Sequence, residues 1–414
     1  MKVLVIGGGG RCHAIVDALS RSQKVSKIYC APGNAGIAAQ AECVSIKETQ
    51  VDKLFDFAQV HDIDLTVVGP EVALAAGVVD RFIEGGRRIF GPTKAAAQIE
   101  SSKEFAKELM KRHGIPTADF ETFTSYEAAM EYVRRGTLPT VLKYDGLAAG
   151  KGVVIAETLE QADEALRDML LDAKFGEGKV VIEEFLTGPE FSFMCFVDGL
   201  NVYPMAVAQD HKRAYDGDLG PNTGGMGAYS PVPFITADDE AYALEHVMRP
   251  TAAAMVEEGN SFSGVLYGGL IKSPNGIKVI EFNARFGDPE TEVVLPRLKS
   301  DIYDVFSSIA DSVPMDIEWH DFATLGVVLA SKGYPGSYES GFEIGGLESL
   351  AGQVYHMGTA RKDDKIVTAG GRVLLVVGKG ADLAAAREDA LAQVAQIECD
   401  ALFHRTDIGH WAIK

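Results

Sequence analysis

The segment from Ile280 to Thr291 reads Ile-Glu-Phe-Asn-Ala-Arg-Phe-Gly-Asp-Pro-Glu-Thr, an apolar strand that ends in oxygen ligands and one guanidinium. Side chains at positions i and i+2 of a strand share a face, so Glu281 and Asn283 point the same way. A carboxylate and an amide oxygen suit a hard cation such as Mg²⁺, which completes its shell with phosphate oxygens and water. The pair predicts a metal-nucleotide site, with Arg285 two positions further on to bind a carboxylate or phosphate. The alternative is a strand that leaves the core through a solvated polar end.

The composition is that of a globular protein. The chain has 414 residues, 47% of them hydrophobic and 24% charged, which predicts about three domains at the usual domain size. A net charge of -20 argues against a nucleic-acid surface. No apolar run approaches the roughly 20 residues that cross a bilayer, so no membrane association is expected. No signal segment follows Met1, and the five cysteines form no Cys-x-x-Cys pair. We therefore expect a soluble protein in a reducing cytoplasm.

Strand and helix signals alternate along the N-terminal part of the chain. We expect strands at 3–6, 27–30, 65–68 and 88–90 and helices from about 14 and at 51–60, the rhythm of a parallel α/β sheet. The run Gly7 to Gly10 follows the first strand, but Cys12 breaks the Gly-x-Gly-x-x-Gly dinucleotide fingerprint. The remaining use of such a loop is a phosphate cradle of backbone N–H groups, with Arg11 adding charge. A merely structural turn is the alternative.

The middle of the chain predicts a second α+β unit with a glycine loop between two strands. Capping boxes at 124–127 and 158–161 predict helix starts, and strands are expected at 140–143 and 153–156. The loop 144–152 is not a Walker A loop, because it lacks the Gly-x4-Gly-Lys-[Ser/Thr] spacing and leads into a strand instead of a helix. Lys103 and Lys143 beside such a loop could neutralise nucleotide phosphates, although a lone lysine is ordinarily a solvated charge. A further polar glycine loop is expected at 216–227, a helix near 300–312, and a last α+β unit from about Leu325.

These parts, in this order, resemble the ATP-grasp ligases and, more narrowly, the phosphoribosylamine-glycine ligase family. The matching segments, which run from the first strand to the last, are Pro32-Gly-Asn-Ala-Gly36, Val68-Gly-Pro-Glu71, Asp145-Gly-Leu-Ala-Ala-Gly-Lys-Gly152, Gln209-Asp-His-Lys-Arg213, Gly220-Pro-Asn-Thr-Gly-Gly-Met-Gly-Ala-Tyr229 and Asn283-Ala-Arg-Phe-Gly-Asp-Pro-Glu-Thr291. The resemblance implies a multidomain α/β and α+β fold. Its expected domains are an N-terminal substrate-binding domain at 1–101, an ATP-grasp domain at 102–320 with a mobile lid at about 118–196, and a small C-terminal α+β domain at 321–414.

The resemblance also implies a reaction and a set of site residues. ATP would phosphorylate glycine, and 5-phosphoribosylamine would attack the glycyl phosphate to give glycinamide ribonucleotide, ADP and phosphate, with Mg²⁺ or Mn²⁺ as cofactor. The implied catalytic residues are Arg285, Lys143 and Asp210. The implied nucleotide-binding residues are Lys103, Lys143, Gly150, Lys151, Gly152, Glu183, Glu184, Leu186 and Glu190. The implied substrate-binding residues are Gly9, Gly10, Arg11, Asn34, Glu71, Asp210, Lys212, Arg285 and Asp288. The implied metal ligands are Glu281 and Asn283.

Two departures from the family pattern and two rival functions stay open at this point. Cys12 stands where a Glu is common and Glu292 where Gln is frequent, and Asp288 and Glu290 could contact the sugar phosphate or merely shape their loop. One rival is a related ligase with another acceptor, such as a carboxylase or a formate-using transformylase. The other is a non-catalytic nucleotide-binding regulator. The expected partners are small-molecule substrates only, with the chain a monomer or a weak homodimer.

Overall fold

The first hundred residues form a five-stranded parallel sheet. The computed structural model describes residues 1–146, 152–172, 174, 176 and 178–413. The sheet order is β3-β2-β1-β4-β5, and Val3 to Ile6 of β1 are fully buried, as is usual for parallel strands covered by helices. The strands are β1 Lys2–Gly7, β2 Lys27–Pro32, β3 Glu42–Cys43, β4 Leu65–Val68 and β5 Ile89–Phe90, and the helices are α1 Gly10–Ser20, α2 Val51–Val60, α3 Glu71–Ala75, α4 Val78–Glu84 and α5 Gln98–Ser101. The predicted parallel α/β sheet is confirmed.

A small antiparallel sheet with its own core follows. Its elements are α6 Lys103–Arg112, β6 Phe120–Phe123, α7 Tyr126–Arg135, β7 Thr140–Tyr144, β8 Val153–Ala156, α8 Leu159–Leu166 and β9 Val180–Glu184. The sheet order is β6-β9-β7-β8, and the apolar cluster from Ala129 to Ile182 that backs it is separate from the main core. Thr158 and Gln161 form the predicted capping box. The other cap was predicted one residue early, because Ser125, not Thr124, accepts the N–H of Ala128.

The rest of the chain builds two further sheets. The strands are β10 Glu190–Asp198, β11 Asn201–Pro204, β12 Gln209–Asp210, β13 Arg213–Tyr215, β14 Leu219–Asn222, β15 Gly227–Ser230, β16 Ser263–Ser273, β17 Gly276–Asn283, β18 Ala323–Ser331, β19 Gln353–His356, β20 Thr359–Lys362, β21 Lys365–Thr368, β22 Arg372–Gly380 and β23 Leu402–Phe403. The helices are α9 Ala237–Ala243, α10 Arg249–Glu257, α11 Glu290–Val294, α12 Ile302–Ala310 and α13 Leu383–Val394.

The central sheet carries the segment that predicted the metal site, and the last sheet draws on two parts of the chain. The central order is β11-β10-β16-β17, and the last sheet runs β12-β15-β18-β22-β19 with β23 beside β18. Strands β12 and β15 therefore join a sheet whose other strands all follow residue 320. The loop expected at 216–227 contains β14, which forms a hairpin with β13. Among the described residues, no helix is long and apolar enough to span a bilayer.

Candidate active site

Glu281 and Asn283 lie at the end of β17, as the segment predicted. The Glu281 carboxylate has no hydrogen bond or ion pair with any described residue. Burial raises its pKa, but nearby positive charges outweigh burial and hold the pKa below its usual value. These charges belong to Lys212, Lys143, Lys103 and Arg285. An ionised carboxylate without a direct partner, set among cations, has the chemistry of a site for a divalent cation and phosphate oxygens.

Arg285 is clasped by three oxygen-bearing side chains from different parts of the chain. Its NH2 donates to Asn283 Oδ1 at 2.9 Å and lies 3.1 Å from Glu100 Oε1, while Nε lies 3.4 Å from Glu71 Oε2. Burial lowers the pKa of the guanidinium, but the carboxylates more than compensate, so the pKa is raised and the charge stays. A carbonyl oxygen has two lone pairs, so Asn283 Oδ1 can accept from Arg285 and still bind a cation.

Glu100 is a site residue that the sequence did not reveal. Its Oε2 accepts the Ala284 N–H at 2.8 Å, which ties α5 to the end of β17. Burial raises the pKa of Glu100, and Arg285 opposes that effect. Glu100 sits in a short helix with no motif around it, so nothing local in the sequence could have indicated the contact.

Asp288 lies between two arginines of distant segments. Its Oδ2 is 3.5 Å from Arg11 Nε, and its Oδ1 is 2.9 Å from Arg372 NH2. Arg11 also lies 3.6 Å from Glu71 Oε2 and donates to the Phe286 carbonyl at 3.0 Å. Burial raises the pKa of Asp288, but Arg372 and Arg11 lower it further than burial raises it. The structure thus brings Arg11, Glu71, Arg285 and Asp288 together as predicted, and adds Arg372 from β22.

The N-terminal glycine run packs closely against its neighbours. Gly9 is the N-cap of α1, and a Cβ on Gly8 would come within 2.7 Å of the Gly33 carbonyl oxygen. A Cβ on Gly10 would strike Glu292 Oε1. A side chain at either position would therefore need its neighbours to shift. Gly10 is itself buried, and the Arg11 N–H donates to Asp288 Oδ2 at 3.5 Å, so Asp288 already occupies part of the start of α1.

Asn34 and Cys12 have structural contacts that account for their side chains. Asn34 Nδ2 donates to the Gly8 carbonyl at 2.8 Å and to the His356 carbonyl at 2.7 Å, while its Oδ1 accepts two backbone N–H groups. Any substrate contact at Asn34 therefore falls to its backbone. Cys12 points inward, where burial raises its pKa to about 12, so the departure at this position leaves the loop surface unchanged.

Lys143 is buried in an ion pair beside the C-terminal end of β17. Its Nζ lies 2.9 Å from Glu183 Oε1 and donates to the Ile280 carbonyl at 2.9 Å. The other Glu183 oxygen, Oε2, is 2.8 Å from Lys107 Nζ, a residue that the sequence reasoning missed. The Glu183 carboxylate is thus engaged by two lysines. Lys103, at the start of α6, donates to the Gly146 carbonyl at 3.3 Å.

The backbone N–H and C=O groups of residues 185–188, which follow β9, make no hydrogen bond with any described residue. Strand β9 pairs with β6 and β7 on its two sides, so it is not an edge strand, and the ladder ends at Glu184. Glu184 is exposed, and Leu186 follows outside the ladder with its side chain half-buried. Glu190 begins β10, and its Oε2 accepts from Lys212 Nζ at 3.2 Å.

Asp210 lies near the charged groups of Lys212, Glu190 and Glu290. Removal from water raises its pKa to about 7, an effect that Lys212 opposes and Glu290 and Glu190 support. Glu290 itself is buried, and its Oε1 accepts from Ser192 Oγ and Tyr267 OH, both at 2.8 Å. Two neutral hydroxyl groups therefore hold the Glu290 side chain at the start of α11. Lys212 is close enough to Asp210 and Glu281 for its charge to act on both.

Gly150 and Lys151 lie outside the described residues, so their predicted contacts with nucleotide have no structural description. Gly152 is described, and its carbonyl accepts the Tyr144 N–H at 2.8 Å. This bond continues the β7–β8 ladder by one rung.

His211, Asp218 and His410 bring three potential metal-ligating atoms within 4.8 Å of one another. The Gly409 N–H donates to His211 Nε2 at 2.9 Å, which places the ring proton on Nδ1 facing Asp218. Asp218 also pairs with the fully buried Arg405 at 3.0 Å. The cluster is a hydrogen-bonded clasp between the loop before β14 and the C-terminal segment.

Comparisons with known proteins give a consistent result. Family models described as the N, ATP-grasp (A) and C domains of phosphoribosylglycinamide synthetase match residues 1–100, 101–291 and 324–411. A phosphoribosylamine–glycine ligase of Halalkalibacterium halodurans is 54% identical, covering 100% of this chain and 97% of the relative. The crystal structure of the Thermotoga maritima phosphoribosylamine–glycine ligase is 34% identical with a TM-score of 0.88, covering 99% of this chain and all of that one. A biotin carboxylase from Campylobacter jejuni shares the fold, with a TM-score of 0.76 at 15% identity over 97% of this chain and 92% of its own.

Proposed function

The chain belongs to the phosphoribosylglycinamide synthetase family, and from that membership we propose how its residues divide the work of one ligation. The reaction is the ATP-dependent joining of glycine to 5-phosphoribosylamine, which gives glycinamide ribonucleotide in purine biosynthesis. The family uses ATP and a divalent cation. What we add are the identity of that cation and the role of each residue.

The observation that carries the nucleotide assignment is the partnerless, ionised Glu281 carboxylate among Lys212, Lys143, Lys103 and Arg285. Glu281 and Asn283 would hold Mg²⁺, or Mn²⁺ in its place, and the bound cation neutralises phosphate charge. Lys103 and Lys143 would face the phosphates, with Gly150, Lys151 and Gly152 covering them. The free backbone after Glu184, at Leu186, would pair with the adenine edge, and Glu190 would hold the ribose.

Glycine would lie between Asp210 and Arg285. The pKa of Asp210 is raised to about 7 without a ligand, so an ammonium placed beside it would lower that pKa and gain a charge-assisted hydrogen bond. Arg285 would hold the glycine carboxylate, and Lys212 adds positive charge on the same side. Because the attacking amine is already basic, no side-chain nucleophile is required.

The sugar phosphate would bind at the start of α1. The N–H groups of Gly9 and Gly10 at the helix N-terminus would bind an anion, and Arg11 adds a full charge there. Glu71 would accept from a ribose hydroxyl, Asn34 would contribute backbone, and Asp288 would orient Arg11. Clustered cations would then hold two anionic substrates together while phosphate is transferred to glycine.

Phosphate release separates this function from its rivals. With ATP, glycine and phosphoribosylamine present, we expect steady phosphate release that stops when any one of the three is omitted, because phosphate leaves only when the amine displaces it from glycyl phosphate. A carboxylase or transformylase acceptor would release phosphate without glycine. A nucleotide-binding regulator would bind ATP and release none under any mixture.

We also propose a cytoplasmic enzyme that is a monomer or a weak homodimer, with domains at 1–101, 102–320 and 321–414. The five cysteines are free in the structure, which suits a reducing compartment. Light scattering across a hundredfold concentration range tests the assembly: a constant mass above that of a dimer would refute it.

A further inference from the structure

We propose that Lys107 is a positioning residue for the nucleotide, because it neutralises Glu183 and so leaves the positive charge of Lys143 available to phosphate. This inference rests on the proposed function, which places Lys143 at the phosphates. Lys107 belongs to no motif, and the sequence reasoning gave it no role.

The geometry is a buried line of three charges. Glu183 Oε2 lies 2.8 Å from Lys107 Nζ, and Glu183 Oε1 lies 2.9 Å from Lys143 Nζ. The three side chains are 3%, 4% and 4% exposed for Lys107, Lys143 and Glu183. Water therefore screens none of them, and each removed charge is felt by its neighbours.

Further hydrogen bonds join both lysines to β17, directly for Lys143 and through Thr117 for Lys107. Lys107 Nζ donates to Thr117 Oγ1 at 2.8 Å, and Thr117 Oγ1 donates to the Val279 carbonyl at 2.8 Å. Lys143 Nζ donates to the Ile280 carbonyl at 2.9 Å. The charge line is thus attached to the outer edge of β17 through the carbonyls of Val279 and Ile280. The charge of Lys143 also acts on Glu281, beside which the proposed nucleotide phosphates lie.

Charge counting explains why the second lysine matters. Two ammonium groups and one carboxylate leave the line with one net positive charge. Without Lys107, Glu183 and Lys143 cancel, and a triphosphate next to Lys143 meets a neutral pair. Burial lowers the pKa of Lys107 to about 8, with Glu183 opposing, so Lys107 is mostly charged at neutral pH.

The test compares binding of ATP with binding of adenosine, which has no phosphates, by titration calorimetry without turnover. We expect K107M to weaken ATP binding by about tenfold at an effective dielectric near 20, with adenosine binding unchanged. K107R keeps the charge and should bind ATP as the wild type does. The matched control is K111M. Lys111 lies one turn further along α6 and is exposed, and like Lys107 it lies over the Phe120 ring, with its Nζ 5.4 Å from the ring centroid.

The double variant K107M/E183Q separates charge from structure. Both carboxylate oxygens of Glu183, which the resemblance placed among the nucleotide-binding residues, face lysines, so its side chain has no direct nucleotide contact in this proposal. The double variant removes the whole pair but leaves Lys143 with its positive charge, so the ratio of ATP to adenosine affinity should return to within about threefold of the wild type. If Lys107 were only structural, the double variant would bind ATP as poorly as K107M or worse, and the inference would be wrong. Should K107M fail to fold, K107R and the double variant still decide. A wild type that binds ATP no better than adenosine would instead refute the proposed nucleotide site.

Discussion

Glu292 is a carboxyl group that the fold surrounds completely. It is 0% exposed, and neither oxygen has a hydrogen-bond partner among the described residues. Burial, with Asp288 adding to it, raises the pKa well above its usual value. Glu292, which stands where Gln is frequent in the family pattern, lies inside α11 against Gly10.

Replacing Glu292 with Gln should change how stability depends on pH. The folded state keeps a proton that the unfolded chain releases above about pH 4.3, so stability falls as the pH rises beyond that value, by up to ~1.4 kcal/mol per pH unit. Glu292→Gln removes this fall. Urea midpoints at pH 5 and pH 8 measure it, with the exposed Glu257→Gln as the control that keeps the wild-type dependence. Parallel curves for wild type and Glu292→Gln would contradict the prediction.

Replacing Glu281 with Gln should affect metal-free and metal-loaded nucleotide in opposite directions. The carboxylate stands among four cations, so its removal should leave ATP without metal bound as tightly as before or more tightly. With Mg²⁺ saturating, the same variant should bind ATP at least tenfold more weakly, because one oxygen ligand is lost. Calorimetry with and without Mg²⁺ measures both. Equal losses under the two conditions would mean that Glu281 does not bind the metal.

At the level of elements, the small sheet β6-β9-β7-β8 has a core separate from the main one. Leu142 is 0% exposed in that core, and Leu270 is 0% exposed in the main core. Leu142→Ala should cost about 2–5 kcal/mol and remove amide-exchange protection from β7 and β9, while β16 and β17 keep theirs. Leu270→Ala should show the reverse pattern. Loss of protection in all four strands from Leu142→Ala would mean that the two cores unfold together.

Local signals predicted some of the helices and strands, and in a few cases also their ends. Strand β8 and helix α2 have the predicted bounds, because apolar runs of strand or helix period were bounded by turn residues on both sides. Helix α1 begins at Gly10 rather than near 14, since glycine at a helix start is allowed when close packing requires it. At α7, Thr124 and Ser125 could both cap, and only the fold selects Ser125.

At the level of the whole molecule, sequence motifs contain the candidate site residues but not the residues that contact and orient them. Glu281, Asn283, Arg285, Glu71 and Asp288 stood in recognisable segments. Glu100, Lys107 and Arg372 stood in none, because each acts through a partner that is distant in sequence: Glu100 through Ala284, Lys107 through Glu183, and Arg372 through Asp288. Pairing at such separations follows from topology, which no local pattern encodes.

The joint between α1 and the C-terminal sheet contains two buried histidines. His13 Nδ1 accepts the His356 N–H at 2.8 Å, and His356 Nδ1 lies 2.8 Å from Thr359 Oγ1. Burial lowers the pKa of His13 to about 3, with His356 adding to the effect, and burial lowers that of His356 to about 4. Both rings are therefore neutral in the folded protein at neutral pH.

Acid should loosen this joint. Between pH 6.5 and about 4 the unfolded chain binds protons that the folded chain excludes, so the contribution of these rings to stability is lost as the pH falls, by up to ~1.4 kcal/mol per pH unit for each ring. His13→Asn keeps an acceptor for the His356 N–H but cannot be protonated, so it should remove one ring's contribution to the change in urea midpoint between pH 7 and pH 5. His246→Asn should leave the pH dependence unchanged, because His246 is exposed and lies outside this joint. A wild-type slope in His13→Asn would place the acid sensitivity elsewhere, since hydrogen bonds from Gln353 and Tyr355 to Asp17 also join the C-terminal sheet to the first helix.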